Sequence, residues 1–224
     1  MQSTSDQYLN HHRLVDQEES LIDSLRLQPL IVVLRPGNSD LGSTPNEVLF
    51  FNLIESLVSA GVRHIECAWS SHPGWLIMMN EVKSSFGNVS VGVASVNSRQ
   101  ALDDVVGLKV AYAMAPCWNP ELQNQALECR QLLVPGVFSP TEVHQACQYG
   151  SRIVKLFPAS TLGKNYWSQL SAPLAPTPFV IAAGGLTVND LSGWLNAGHD
   201  AVALGRGLIV GNTIDPALND WLHQ

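Results

Sequence analysis

The sequence predicts a single (βα)8 barrel, also called a TIM barrel, with an additional N-terminal helix. The chain has 224 residues, a length at which one such barrel forms a complete domain. Short apolar segments alternate regularly with longer helical patterns and give eight candidate strands. An open doubly wound sheet has fewer strands, usually about five or six, and no G-x-G-x-x-G motif follows the first apolar segment. We therefore expect a barrel.

The candidate strands are runs of consecutive apolar residues. This pattern is typical of strands that are buried on both faces, because helices cover the outside of a barrel and side chains fill its interior. Strands are predicted at residues 30–34, 64–68, 89–95, 110–114, 131–135, 153–157, 179–183 and 201–205.

Helix start and stop signals separate these strands. A side-chain cap, a proline or an acidic residue in the first turn and a closing glycine predict helices over residues 44–61, 139–150 and 187–198. An amphipathic helix precedes the first strand, with apolar positions at Leu9, Val15, Leu21, Ile22 and Leu25. We expect residues 1–28 to form a helical extension packed on the barrel and residues 29–224 to form a catalytic barrel domain.

Composition and charge exclude several classes of partner. The formal net charge is -7, and the 12 basic residues are scattered, so neither nucleic acid nor an anionic membrane is an expected partner. The N-terminal residues do not have the pattern of a signal peptide, and no apolar stretch reaches about 18 residues. The four cysteines lack metal-ligand spacing. These features predict a cytoplasmic protein that acts on a small molecule.

Lys155 is the first candidate catalytic residue. It lies within the apolar strand 153–157, whereas the other lysines, Lys83, Lys109 and Lys164, lie where water can solvate them. A buried ammonium requires a partner or a function. Burial favours the neutral amine, which is the nucleophile that attacks a ketone to form an imine. A structural lysine, either paired with a core carboxylate or extended to a barrel end, is the alternative interpretation.

Glu66 is the second candidate, in the middle of the strand 64–68. After an imine forms, the adjacent carbon must lose or gain a proton, and a carboxylate in a partly dry site can move that proton directly or through one water. A simple ion pair with Lys155 or Arg35 is the alternative interpretation.

Arginine and glycine residues follow the first and the last two strands. Arg35 ends the first strand, where a guanidinium suits the carboxylate of a keto acid and helps to keep Lys155 neutral. Two glycine-rich turns follow the seventh and eighth strands, at positions where barrels commonly bind phosphate through backbone amides. The residues concerned are Gly184 and Gly185 in the first turn and Gly205 and Arg206 in the second.

These segments together resemble the 2-keto-3-deoxy-6-phosphogluconate aldolase and 4-hydroxy-2-oxoglutarate aldolase family. The most specific match is the segment 153–159, which is similar to the strand that carries the family's Schiff-base lysine. Residues 61–66 resemble the segment with the acid/base glutamate, residues 134–142 a further family segment, and residues 183–186 the phosphate-binding turn. The similarity extends from about Leu30 to Leu208.

The resemblance implies a class I, pyruvate-type aldolase in which Lys155 forms the Schiff base and Glu66 moves protons through water. Phe157 would flank the imine, while Arg35, Ser95 and Pro116 would line the pyruvate end. The reaction implied is reversible cleavage of a 4-hydroxy-2-keto acid to pyruvate and an aldehyde, which is glyceraldehyde 3-phosphate or glyoxylate. No metal or organic cofactor is implied, and the expected assembly is a homotrimer.

Several positions depart from the family pattern, mainly around the distal and phosphate ends of the expected pocket. They are Ser70, Ala94, Ala183, Ala115 and Arg206. These departures leave two alternatives open beside the aldolase. The first is a phosphate-binding isomerase or epimerase that uses Glu66 for proton transfer. The second is a barrel with a decayed pocket that serves in binding or assembly.

Overall fold

The computed structural model describes residues 4–42 and 49–223 and shows a parallel barrel surrounded by helices. The strands of the barrel are β1 (Leu30–Leu34), β2 (His64–Ala68), β3 (Ser90–Ala94), β4 (Ala113–Met114), β5 (Leu133–Val134), β6 (Gly136–Val137), β7 (Ile153–Leu156), β8 (Phe179–Ala183) and β9 (Ala201–Leu204). Their order in the sheet is β5-β4-β3-β2-β1-β9-β8-β7-β6. Each pairing within this sheet is parallel.

The barrel closes at Pro135, which separates β5 from β6. Proline has no backbone N–H, so it interrupts the ladder without turning the chain. The Pro135 carbonyl still accepts a 2.9 Å hydrogen bond from the Lys155 backbone N–H. One physical strand therefore pairs with β4 through Leu133 and with β7 through Gly136. The predicted fold class, a (βα)8 barrel with an N-terminal helix, is confirmed.

The predicted strands agree with the observed ones within a few residues. The largest difference lies in the fourth strand, which is assigned only at Ala113–Met114 instead of over 110–114. The chain nevertheless runs beside β3 earlier, because the Val93 N–H donates a 3.3 Å hydrogen bond to the Tyr112 carbonyl. The prediction for the fifth strand ended at Pro135 and missed β6.

The helices are α1 (Thr4–Leu27), α2 (Asn38–Gly42), α3 (Leu49–Ser59), α4 (Trp75–Ser85), α5 (Arg99–Leu108), α6 (Pro120–Glu128), α7 (Pro140–Gln148), α8 (Ala159–Leu162), α9 (Tyr166–Ser171), α10 (Leu191–Asn196) and α11 (Ala217–Leu222). No helix in the described ranges combines the length and the apolar character that a membrane span requires. A small antiparallel hairpin, β10 (Ile209–Val210) with β11 (Thr213–Ile214), follows the barrel. Neither this hairpin nor α11 was predicted from the sequence.

The predicted capping signals are present where the structure describes them. Ser139 and Glu142 form a capping box at the start of α7, and Gly150 follows that helix with φ +88°. The helix predicted from Thr187 begins as a 3-10 turn at Val188–Asp190 and becomes α-helical only at Leu191. The start predicted at residues 44–47 lies outside the described residues.

Helix α1 packs against the N-terminal end of the barrel. Its side chains Leu14, Leu21, Ile22 and Leu25 share one apolar cluster with residues of the barrel interior. Ser24 Oγ and His64 Nε2 are hydrogen-bonded at 2.7 Å, and the Glu18 carboxylate accepts a 3.1 Å bond from the Arg152 backbone N–H. The predicted Leu9 side chain lies outside the described part of the helix. The opposite end of the barrel, where the strands finish, carries the candidate site.

Candidate active site

Strand β7 directs Lys155 into the barrel. Successive strand residues point to opposite faces, and Val154 and Leu156 belong to a cluster under the surrounding helices. Ile153 belongs to the interior cluster, so Lys155 shares its face. The Lys155 side chain is 7% exposed and lines a cavity of about 190 Å³. An amine in this position is accessible from the cavity but largely removed from bulk water.

Every residue predicted for the site lines this one cavity. It lies where the strands end, as expected for the functional face of a barrel. The residues are Arg35, Glu66, Ser95, Pro116, Lys155, Phe157, Gly184, Gly185, Gly205 and Arg206. Arg35 and Arg206 are exposed at its rim. Val33, Leu186, Ala203 and Gly207, which were not predicted, also line the cavity.

Burial brings the pKa values of the two candidate catalytic groups toward neutrality from opposite sides. Burial lowers the pKa of Lys155 to about 8; the Glu66 charge opposes this shift and the Arg35 charge adds to it. Burial raises the pKa of Glu66 to about 7, against the opposing effect of Lys155. A neutral amine and an ionised carboxylate are therefore both accessible near pH 7 to 8.

Lys155 and Glu66 do not form a direct ion pair. Within the described ranges, the ion pairs shorter than 4.0 Å are Arg26–Asp23, Arg99–Asp103 and Arg152–Glu19, all on the surface. The Lys155 Nζ atom instead lies 5.3 Å from the centroid of the Phe157 ring. The amine is therefore free of a carboxylate that would hold it protonated in close contact.

The glycine pair after β8 makes room for neighbouring side chains. Gly184 has φ +97° and Gly185 has φ +77°, a region that favours glycine. A Cβ atom at Gly184 would lie 2.9 Å from the Phe157 ring, and one at Gly185 would lie 2.1 Å from Ser160 Oγ. Phe157 is therefore held between the lysine and the glycine turn.

Ser95 adopts an unusual backbone conformation at the end of β3. Its φ is +66°, which costs a non-glycine residue about 1 kcal/mol or more. Strained residues of this kind concentrate at functional sites. The family resemblance implied a role for the Ser95 hydroxyl, whereas nothing in the sequence indicated the backbone strain.

Tyr112 is a buried neighbour of the site that was not predicted from the sequence. It is fully buried in the interior cluster and acts on the pKa of Glu66. A signal for it existed, because Tyr112 and Met114 share one face of the predicted strand 110–114. A polar hydroxyl on the inward face of a barrel strand was the feature to notice.

A parallel barrel with a buried, accessible lysine and a buried carboxylate in one cavity defines a protein equipped for Schiff-base chemistry. Residues 25–221 match the family model for KDPG and KHG aldolase. The 2-dehydro-3-deoxy-6-phosphogalactonate aldolase of Escherichia coli is 28% identical over 181 residues, which are 80% of this chain and 84% of that protein.

Two solved structures are similar to the chain. A native KDPGal structure is 26% identical with a TM-score of 0.69, and the match covers 85% of this chain and 88% of that one. The fold is also similar to KDPG aldolase from Legionella pneumophila, at 20% identity and TM-score 0.69, with coverages of 87% and 88%. That structure contains pyruvate captured as a covalent carbinolamine.

The chain belongs to the KDPG and KHG aldolase family, because the family model matches most of its length. It is a class I aldolase and therefore a carbon–carbon lyase. The isomerase and the non-enzymatic binding protein are not favoured.

Proposed function

We propose that the enzyme cleaves a 4-hydroxy-2-keto acid, of the 2-keto-3-deoxy-6-phosphogluconate or 4-hydroxy-2-oxoglutarate type, to pyruvate and an aldehyde. The observation that carries this proposal is the position of Lys155, 7% exposed and lining the cavity at the barrel mouth. The names of the matched family and of the E. coli relative support this class of substrate.

Lys155 begins the proposed reaction. The neutral Nζ atom donates its electron pair to the keto carbon, C2, and forms a carbinolamine. The carbinolamine hydroxyl takes a proton from protonated Glu66 or from solvent and leaves as water, which gives a protonated imine. The imine then withdraws electrons from the C3–C4 bond. Because burial lowers the pKa of Lys155 to about 8, a useful fraction of the amine is neutral near pH 7.

Glu66 performs the proton transfers in this proposal. Its carboxylate takes the proton of the C4 hydroxyl, directly or through water, as the C3–C4 bond breaks and the aldehyde leaves. The electron pair of that bond remains on C3 as an enamine. Glu66 then returns a proton to C3, and water releases pyruvate from the imine. A pKa of about 7 suits a group that both accepts and donates a proton.

The other predicted residues of the cavity are proposed to bind the ends of the substrate. Arg35, Ser95 and Pro116 would line the pyruvate end, where the Arg35 guanidinium can make a forked contact with the carboxylate. The turns at Gly184, Gly185, Gly205 and Arg206 would hold the distal phosphate or carboxylate. Both groups of residues line the cavity that contains Lys155.

The proposal extends to the organisation of the chain. Residues 1–28 are proposed as an extension that covers the N-terminal end of the barrel, and residues 29–224 as the catalytic domain, since α1 contributes to the interior cluster. The family resemblance supports a homotrimer in the cytoplasm, and sedimentation should then show one species of three chain masses.

Trapping of the imine tests the catalytic proposal. The protein is incubated with pyruvate and borohydride, and the modified peptide is identified by mass spectrometry. The expected adduct is on Lys155, and it disappears in Lys155→Met but persists in the matched control Lys164→Met, whose lysine is exposed. Turnover of a panel of phosphorylated and unphosphorylated 4-hydroxy-2-keto acids identifies the substrate. An adduct on another lysine, or its absence, would refute the mechanism.

A further inference from the structure

The Tyr112 hydroxyl is a buried polar group that has no role in the proposed reaction. Tyr112 is 0% exposed, and its Oη atom has no hydrogen-bond partner among the described residues. Burying a hydroxyl without a partner costs about 1–3 kcal/mol. A phenylalanine would fill the same volume without that cost, so the hydroxyl requires a reason.

The hydroxyl lies one strand away from Glu66. Gly92 on β3 is the register partner of Glu66 on β2. A Cβ atom at Gly92 would be 2.6 Å from Tyr112 Cζ and 3.0 Å from Tyr112 Oη, so the phenol covers the inner face of this glycine. The absence of a side chain at position 92 thus gives the phenol its place beside the carboxyl group.

Glu66 has an unsatisfied atom of its own. Its Oε1 atom is buried and lacks a hydrogen-bond partner within the described part of the chain. Tyr112 is close enough to lower the pKa of Glu66 as a hydrogen-bond donor, although the two groups miss strict hydrogen-bond geometry. Tyr112 Oη and Glu66 Oε1 can each supply the partner that the other lacks, because a hydroxyl donates and a carboxylate oxygen accepts.

Burial and the charges around Tyr112 and Glu66 keep the phenol protonated, so it can act as a hydrogen-bond donor. Lys155 faces Glu66 from β7, Cys67 follows it on β2, and Arg35 acts on Lys155 from the end of β1. Burial raises the pKa of Tyr112 well above its usual range, and the Glu66 charge raises it further. Tyr112 therefore stays neutral, and its hydroxyl can donate a hydrogen bond to a carboxylate.

We propose that Tyr112 is a positioning residue, whose hydroxyl donates a hydrogen bond to the Glu66 carboxylate and orients it toward the carbon that exchanges a proton. The bond stabilises the ionised form of Glu66, which burial disfavours. Tyr112 itself stays in the apolar interior and acts through Glu66. This inference rests on the proposed aldolase function.

The test separates proton transfer from imine formation. At saturating pyruvate, exchange of the pyruvate methyl protons with deuterium is followed by NMR as a function of pH. Lys155 is then already in the imine, so the pH dependence reports Glu66. For Tyr112→Phe, the midpoint should rise by about one unit, which makes exchange roughly tenfold slower below the original midpoint. Tyr149→Phe, at the exposed end of α7, serves as the matched control.

Borohydride trapping in the same samples makes the outcomes distinct. Tyr112→Phe should trap pyruvate on Lys155 as the unchanged protein does. Normal trapping with an unchanged exchange midpoint would overturn the role of Tyr112 and leave the aldolase proposal intact. No trapping in the unchanged protein would overturn the aldolase proposal and, with it, this inference.

A second measurement uses the unmodified protein and does not depend on the folding of a variant. The Tyr112 Cζ carbon is observed by carbon-13 NMR during a pH titration at saturating pyruvate. If the hydroxyl is bonded to Glu66, this resonance should move through the same midpoint as the methyl exchange, and the movement should disappear in Glu66→Gln. A resonance that stays constant over the range would overturn the inference.

Discussion

Lys155 and Glu66 line one cavity, 7% and 1% exposed respectively, without forming an ion pair. The same cause, burial, moves the pKa of the lysine down to about 8 and the pKa of the glutamate up to about 7. Each charge partly offsets the shift of the other. The pair consequently holds an amine and a carboxylate whose protonation states can change near neutral pH.

The pH dependence of imine formation should follow the amine. With a pKa of about 8, roughly one lysine in ten is neutral at pH 7, so the initial rate of pyruvate trapping should rise about tenfold from pH 7 to a plateau above pH 9. In Glu66→Gln the midpoint should move down, because Glu66 raises the pKa of Lys155. Turnover of that variant should fall about 100-fold or more. A midpoint near 10.5 would contradict the predicted amine.

Replacement of Arg35 should affect both affinity and the lysine. The Arg35 charge lowers the pKa of Lys155, so Arg35→Gln should move the trapping midpoint to higher pH. Loss of a charge-assisted contact should also raise KM for the keto acid roughly 10- to 100-fold. Arg63→Gln, at the opposite end of the barrel before β2, is the control and should change neither quantity. Equal effects of the two substitutions would refute the assignment.

Lys155→Met should stabilise the protein while abolishing adduct formation. The folded-state pKa, about 8, lies below the ordinary value of 10.5, so the unfolded chain binds more protons between these pH values and stability rises with pH there. Below pH 8 the full cost of the buried charge is present. The variant should gain on the order of 1–2 kcal/mol at pH 7, or a few degrees in Tm, and less near pH 10.

Thermal unfolding at the two pH values checks this prediction. Lys164→Met is again the control, since its exposed side chain should leave the stability nearly unchanged. A Lys155→Met protein that unfolds at a lower temperature than the unchanged protein at pH 7 would show that Lys155 is a structural group with a stabilising partner.

Two substitutions at Ser95 distinguish the effect of its backbone strain from the effect of its hydroxyl group. At φ +66°, Ser95→Gly relieves backbone strain and Ser95→Ala does not. This relief should add about 1 kcal/mol to the free energy of unfolding of the glycine variant relative to the alanine variant. The greater flexibility of glycine in the unfolded chain offsets part of that gain. Both variants lack the hydroxyl and should lose turnover to the same extent. Full activity in either would remove Ser95 from the proposed site.

The N-terminal extension should contribute to the stability of the barrel. Leu25 is 0% exposed and belongs to the interior cluster, so Leu25→Ala should reduce the free energy of unfolding by about 2–5 kcal/mol. Leu27→Ala, on the same helix but 75% exposed, should have almost no effect. Chemical denaturation measures both. Equal stability of the two variants would show that α1 is dispensable to the barrel.

The fold class and the two candidate catalytic groups could be predicted from the sequence alone. Eight apolar segments with helix signals between them are a local pattern, and they specify a barrel because each strand must be buried on both faces. A lysine and a glutamate in the middle of such segments are conspicuous for the same reason: a charge in an apolar strand is costly unless it is used. Their identification required no knowledge of contacts.

Which groups meet, and at what distance, depends on the folded chain. The closure of the barrel at Pro135, the φ of Ser95 and the place of Tyr112 beside Glu66 depend on residues that are distant in the chain. The pKa values near 7 and 8 likewise arise from desolvation and from charges on other strands. Electrostatic coupling and packing act through space, whereas sequence periodicity records only the neighbours along the chain.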